Sequence, residues 1–413
     1  MQIIFIPSGP GKVFTPAIAK GGPGKTTTAI NWGAGLALTF LQQKLLLLGF
    51  SAEAVLSISN SFLFGPGVNA SMVQEIIDGY LRLRGVDQGT RKAVFEKTSI
   101  QTTVALLVQE PGKESVVDLD ALHDFLFSDF QDAQLVDLLR ETIVITIAVL
   151  RNEVLFCEMD PQRNMSQGMG ITLQPGQKTM HDVLVNPMFG VEYAVVTTRY
   201  GIDMIPATSV MSELEVSLIA KQELSFRREH RLNDALRNAT GGEGYPIKQQ
   251  AVERYSVIII DPPPSLGQLM LNATVPVDGI LAVLDMGYYS WNSMSELEAR
   301  IQLVRQVNTG IDIAGVVCNR YDSRPGFVDI CVAVEEMARQ QYPGKVLGSR
   351  IPYNSSIMKA PAGGVPVQFF KPESGPTKTA STAYANLAQE TIPSFNIRSF
   401  QLWQQTSTPQ ISR

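Results

Sequence analysis

One stretch near the start of the chain restricts its fold more than any other: Lys20-Gly21-Gly22-Pro23-Gly24-Lys25-Thr26-Thr27. Before it, Lys12 to Ala19 reads as a short buried strand, and after it Thr27 to Phe40 reads as a helix. Glycines let the backbone between them curl so that successive N–H groups converge on one point. The helix brings the positive end of its dipole to that same point. The product is a cradle for phosphate: Gly21, Gly22, Gly24 and Thr27 supply backbone, Lys25 reaches the β- and γ-phosphates, and the Thr26 hydroxyl can ligate Mg²⁺. An ordinary glycine-rich turn has no reason to present strand, glycines, lysine, threonine and helix in that order. A second Gly-Pro-Gly-Lys, Gly9 to Lys12, lacks the threonine and the helix and reads as a plain turn.

The strand–turn–helix rhythm recurs. Tyr255 to Ile260 is a β-branched run ending at Asp261, Gly279 to Leu284 is another, and Ile311 to Val317 a third. Helical patterns, Trp291 to Val307 and Phe327 to Gln341, lie between or after them. Strands alternating with helices predict an α/β fold: a doubly wound, mostly parallel sheet with helices on both faces and right-handed crossovers.

Residues 41–151 break the rhythm. Ala70 to Arg84 and Leu119 to Leu139 have helical periodicity, the latter with Asp120, Asp124, Asp129, Asp132 and Asp137 on its polar side. The domain reading is therefore a first part at 1–40, a mainly helical insertion at 41–151, the remainder of the sheet domain at 152–392, and an irregular tail at 393–413. Lys44 to Leu48 resembles the strand due after the first helix, although Glu153 to Glu158 is a better one.

Composition sets outer limits. The net charge of −5 argues against a basic surface over the whole chain while leaving room for a local patch. Cys157, Cys318 and Cys331 form no CxxC pair, which speaks against zinc or iron–sulfur ligation and for a reduced, cytoplasmic setting. No apolar run spans a bilayer; Ile143 to Leu150 is too short and reads as a buried strand or helix. Met1 to Pro7 has neither the basic start nor the cleavage site of a signal peptide.

The lysine that opens the glycine loop narrows the class. KGGxGKTT resembles the deviant Walker A of the ParA/MinD family of P-loop ATPases (SIMIBI type). The resemblance implies that Lys20 reaches across an ATP-bound homodimer to the partner's phosphates; taken alone, Lys20 would read as a solvated loop residue. Val154 to Gln162 is similar to the family's second acidic motif, which implies that Asp160 orients the attacking water. Glu158 stands where the family usually has aspartate. Ile258 to Ser265 resembles the Walker B strand, so Asp261 is expected to serve Mg²⁺, which would also explain a carboxylate at the end of a buried strand. Val316 to Asp322 and Ile351-Pro352 resemble the adenine pocket, implying that Asn319 reads the base and Pro352 packs on it. Ile205-Pro206-Ala207, Arg228 to Leu232 and Leu271-Asn272-Ala273 place the chain on the ParA side of the family.

Two departures bear on function. DNA-binding members usually have arginines where this chain has Tyr353 and Ser356, although Arg324, Arg350 and Lys359 remain. In addition, 135 positions separate Lys25 from Asp160, where one helix and one strand need about a fifth of that. The insertion can be an extra surface module or an obstruction of the dimer face. The resemblance implies an ATP- and Mg²⁺-dependent partition or positioning ATPase. It would form an ATP-sandwich dimer, bind DNA nonspecifically, associate with the nucleoid, and be released by a ParB-like adaptor that stimulates hydrolysis. Its cargo is expected to be a plasmid, a chromosome or a protein compartment such as a carboxysome. A membrane-cycling MinD-like ATPase would need a basic amphipathic C-terminal helix, and Phe395 to Arg413 has no clean apolar stripe, so no stable membrane association is expected. A metal-cluster carrier lacks its CxxC. A nonenzymatic nucleotide-dependent scaffold is the remaining alternative.

Overall fold

The computed structural model describes residues 3–17, 24–64, 67–109, 124–126, 128–220, 227–244, 246–247, 249–265, 267–287, 291–371 and 375–404. Eight strands form the main sheet: β2 (Lys12–Ala17), β3 (Val154–Glu158), β4 (Val196–Thr197), β5 (Ile202–Ile205), β6 (Val257–Asp261), β7 (Gly279–Asp285), β8 (Ile313–Tyr321) and β9 (Val346–Pro352). Their order is β4-β5-β3-β6-β2-β7-β8-β9, and every pairing except the short β4–β5 edge is parallel. The chain leaves β2 toward β3 on one side and later returns to β7 on the other. The carboxyl end of β2 and the start of the helix at Lys25 therefore sit at the switch point where such sheets bind ligands.

Period-two alternation divides the apolar strands between two cores. Phe156, Ile259 and Val283 face one side with α1 (Lys25–Leu47) and the helix Gly375–Ser394. Cys157, Ile258 and Leu284 face the other with Leu236, Ala273, Ile301 and Val334 from the return helices. Gly33 lets α1 approach the sheet: a Cβ there would meet the Phe156 ring at 2.3 Å.

Residues 41–151 contain α2 (Ala52–Phe64), α3 (Ala70–Leu83), α4 (Gln88–Phe95), α5 (Thr98–Gln109) and α6 (Ala133–Leu150), and no strand among the described residues. Side-chain caps start three of them: Asn69 accepts from the Met72 N–H, Asp87 from the Thr90 N–H, and Asp132 from the N–H groups of Gln134 and Leu135. Val73 and Ile76 of α3, Val104 of α5 and Leu139 and Ile143 of α6 share one core with α1 and the sheet. Because α1 runs from the carboxyl to the amino edge of the sheet, the segment departs and returns at the edge opposite Lys25 and Thr26.

Three local expectations are corrected. Lys44 to Leu48 is no strand but the end of α1, which runs past Phe40 to Leu47. Lys44 fits there because its buried ammonium contacts Glu153 at 2.8 Å and donates to the carbonyls of Ala148 and Arg151 at 2.9 and 3.0 Å. The helix read over Leu119 to Leu139 is interrupted at Asp132, whose side chain caps a new helix; residues 119–123 lie outside the described set. The stretch after Ile392 is not wholly irregular. It carries β10 (Phe400–Gln404), which pairs antiparallel with β1 (Ile3–Pro7) in a second, two-stranded sheet. Phe400 packs edge-on against Phe40 of α1 with ring centroids 5.7 Å apart.

Candidate functional site

α1 begins at Lys25 after Gly24, and no side chain caps its first turn. The backbone N–H groups of that turn are the unpaired donors of any helix start, and here they stand at the carboxyl edge of the central strand. Lys20, Gly21 and Gly22 lie outside the described residues.

Gly24, Lys25, Thr26 and Thr27 stand together at the start of α1, while Asp160, Asp261, Asn319 and Pro352 each come from the end of a different strand. Asp261 closes β6 and is buried; its Oδ2 accepts the Thr26 hydroxyl at 2.8 Å. Its other oxygen, Oδ1, is buried with no hydrogen-bond partner. Burial pushes the Asp261 carboxyl up to about 7, against the opposing pull of Lys25 and Thr26. An orphaned carboxylate oxygen beside a threonine hydroxyl is a donor set that suits a hard cation. Lys25 donates to the Pro262 carbonyl at 3.3 Å. Burial depresses its ammonium, and the nearby charges of Asp261 and Asp160 offset part of that cost. Asp160 follows β3, and its Oδ1 accepts the Gln162 N–H at 2.9 Å.

Glu158, two residues earlier, is completely buried and committed to structure. It accepts from the N–H groups of Ser166 and Ala207, both at 2.9 Å, and from the Ser166 hydroxyl. Burial raises its carboxyl. It ties the end of β3 to the short helix Asn164–Gly168 and to the segment after β5.

Asn319 at the end of β8 and Pro352 at the end of β9 share a cavity of about 240 Å³ with Gly24 and Thr27. Arg320, Tyr353, Asn354, Ile357, Met358 and Tyr384 are among its other lining residues. Sequence reading missed Tyr384, which lies on a helix far along the chain with no motif around it. A larger cavity, about 620 Å³, lies between α2 and α3 and contains none of the predicted site residues.

The arginines retained near this cavity are all engaged. Arg320 pairs with Asp285 at 3.0 Å, Arg324 with Asp322 at 2.5 Å, and Arg350 with Glu335 at 2.9 Å. Among the described residues no group of three or more His, Cys, Asp or Glu side chains could hold a metal, and no helix is long and apolar enough to cross a membrane.

The chain is 30% identical over 245 residues to the sporulation initiation inhibitor protein Soj of Bacillus subtilis, covering 59% of this chain and 88% of Soj. It is 32% identical over 247 residues to the chromosome partitioning protein ParA of Caulobacter vibrioides, covering 60% and 85%. The chain belongs to the ParA/MinD family of P-loop ATPases. A family profile described as an AAA domain matches residues 141–313, from within α6 to the first residue of β8. Among solved structures, McdA of Cyanothece in complex with ATP is 18% identical over 60% of this chain and 86% of that one, with a TM-score of 0.46.

Proposed function

We propose that this chain is a Mg²⁺-dependent ATPase of the partition type, working as an ATP-closed dimer. The observation that carries the proposal is the Thr26–Asp261 pair at 2.8 Å, with Asp261 Oδ1 left unpartnered beside the start of α1. Thr26 and Asp261 would hold Mg²⁺, with phosphate oxygens and water as the other ligands; when bound, the ion neutralises charge that develops on the phosphates. Lys25 and the first-turn amides hold the phosphate chain. Asp160, fixed through the Gln162 N–H, orients the attacking water. Asn319 and Pro352 seat the adenine. Lys20 acts across the dimer, as the family resemblance implies.

On this reading a ParB-like adaptor stimulates turnover, and the cargo is a plasmid, a chromosome or a protein compartment. Nonspecific DNA binding is the weaker part, because the arginines that would meet phosphate are paired with carboxylates. The membrane-cycling alternative loses support, because residues 400–404 form a strand zipped to β1. Single-turnover hydrolysis of Mg-ATP, with and without duplex DNA, tests the proposal. Turnover that requires Mg²⁺ and is lost in Lys25→Ala is expected. ATP binding with no hydrolysis under any condition would instead favour a nucleotide-dependent scaffold.

A further inference from the structure

Tyr353 replaces an arginine of the DNA-binding members, and the structure shows what stands there instead. Its ring lines the 240 Å³ cavity beside Pro352, together with Asn319 and Thr27, and is 57% exposed. Three features fix it. Its backbone N–H donates to the Tyr321 carbonyl at 3.0 Å. Tyr321 follows an irregularity in the β8–β9 pairing, where the register shifts between Asn319 and Tyr321 and Arg320 takes a φ of +57°. A left-handed arginine is strained and persists only where its surroundings hold it, a condition common at ligand sites. On the other side, Asn354 caps the helix Ser355–Lys359 through the Ser356 N–H at 2.8 Å and donates to the Pro376 carbonyl at 2.7 Å. Finally, the Arg324 guanidinium, held by Asp322, stands 5.9 Å from the Tyr353 ring centroid and 5.1 Å from that of Phe327.

An exposed aromatic ring at a cavity that also presents an amide is a stacking platform for a heterocycle, since every nucleobase has a π-face. We propose that Tyr353 stacks on the purine of the bound nucleotide and sets affinity at the base end of the site, with Arg324 as the positioning residue for its ring. The inference rests on the nucleotide reading above. It gives the arginine-to-tyrosine change a positive role: the position serves base recognition in place of phosphate contact with DNA.

Calorimetric titration with Mg-ATP and, separately, with Mg-tripolyphosphate tests it. Tyr353→Ala should weaken ATP binding roughly 5- to 100-fold, the range for loss of one base–aromatic stack, and leave tripolyphosphate within about twofold. Tyr353→Phe should bind ATP as the parent does, because the ring and not the hydroxyl is required. Arg324→Gln should lose a smaller factor, about threefold, again for ATP alone. An alanine variant that binds ATP as tightly as the parent overturns the proposal. So does equal weakening of ATP and tripolyphosphate, since that marks a structural role. A parent protein that binds neither ligand overturns the nucleotide reading itself, so the two failures are distinguishable.

Discussion

Lys25 is the side chain on which three strand ends converge: it follows β2, donates to the carbonyl just after β6, and feels the charge of Asp160 just after β3. On the proposed reading its ammonium meets phosphate in the ground state. Removing it should cost binding. We expect Lys25→Ala to lose about 2–5 kcal/mol of ATP affinity, the cost of truncating one partner of a desolvated charge pair. On the proposed reading Asp160 orients the attacking water and so would matter in the transition state. Asp160→Ala should bind ATP within a few-fold of the parent while turnover falls roughly 10²- to 10⁴-fold. Titration and single-turnover rates on both variants check this, and equal loss of binding would remove the role given to Asp160. Glu158 shows the limit of motif reading. Its place in the acidic motif was legible, but its three hydrogen bonds from Ser166 and Ala207 depend on partners 8 and 49 positions away.

Among the elements, α1 does two jobs at its two ends. Its amino end presents Lys25 and Thr26, while its carboxyl end drives Lys44 into a buried network. Glu153 accepts from Lys44 at 2.8 Å and from the Ser256 hydroxyl at 2.7 Å; Arg398 bonds Ser256 at 3.0 Å and the carbonyls of Gly9 and Glu253. Glu153 precedes β3 and Ser256 precedes β6, so the network fixes the starts of the two strands whose ends carry Asp160 and Asp261. Burial acts to raise the Glu153 carboxyl, yet the attraction of Lys44 holds it below the usual carboxylate range. A carboxylate depressed in the folded state adds stability above its unfolded value, and loses it as pH falls through the folded one. Glu153→Gln should therefore cost about 3–5 kcal/mol near neutral pH, because it strands a buried cation. That deficit should shrink in acid, where the parent's own Glu153 is protonated. Urea melts of both proteins across the acid range would show the gap closing; a pH-independent gap would mean that Lys44 and Glu153 do not act as a pair.

For the whole molecule, the segment 41–151 is rooted at the amino edge of the sheet and buries apolar side chains in the α1 core. Its root is thus on the far side from Lys25 and Thr26. On this geometry we expect Lys20→Gln to retain ATP binding and to fail in ATP-dependent dimerisation, because closure would lose a cation in a poorly hydrated interface. Light scattering with a nonhydrolysed ATP analogue checks it; dimerisation equal to the parent's would mean either that Lys20 is only a loop residue or that residues 41–151 have replaced the usual interface. The surface charge beside the base cavity supports a second expectation. A DNA phosphate must compete with Asp285 for Arg320 and with Asp322 for Arg324. Asp285→Asn combined with Asp322→Asn should raise nonspecific duplex affinity at least about fivefold at low salt and steepen its salt dependence by roughly one to two units. Fluorescence anisotropy over a salt series measures both; an unchanged slope would place any DNA contact elsewhere.

Sequence by itself determined the parts in which function and local chemistry coincide. Glycines and a lysine between a strand and a helix, and Asp261 at the end of an apolar run, are legible because the constraint lies within a few consecutive residues. The same holds for the alternation of β-branched runs and helices that identified the doubly wound sheet. Tertiary structure decided what depends on partners distant in the chain. Whether Lys44 belongs to a strand or a helix turned on Glu153, more than a hundred positions away, because a lysine is buried only where a carboxylate and carbonyls can receive it. Residues 400–404 became a strand because β1 offered an unpaired edge, and neither partner is a stable strand alone. Arg350 has no carboxylate beside it in sequence and is paired in space with Glu335 of another element, since ion pairing follows proximity.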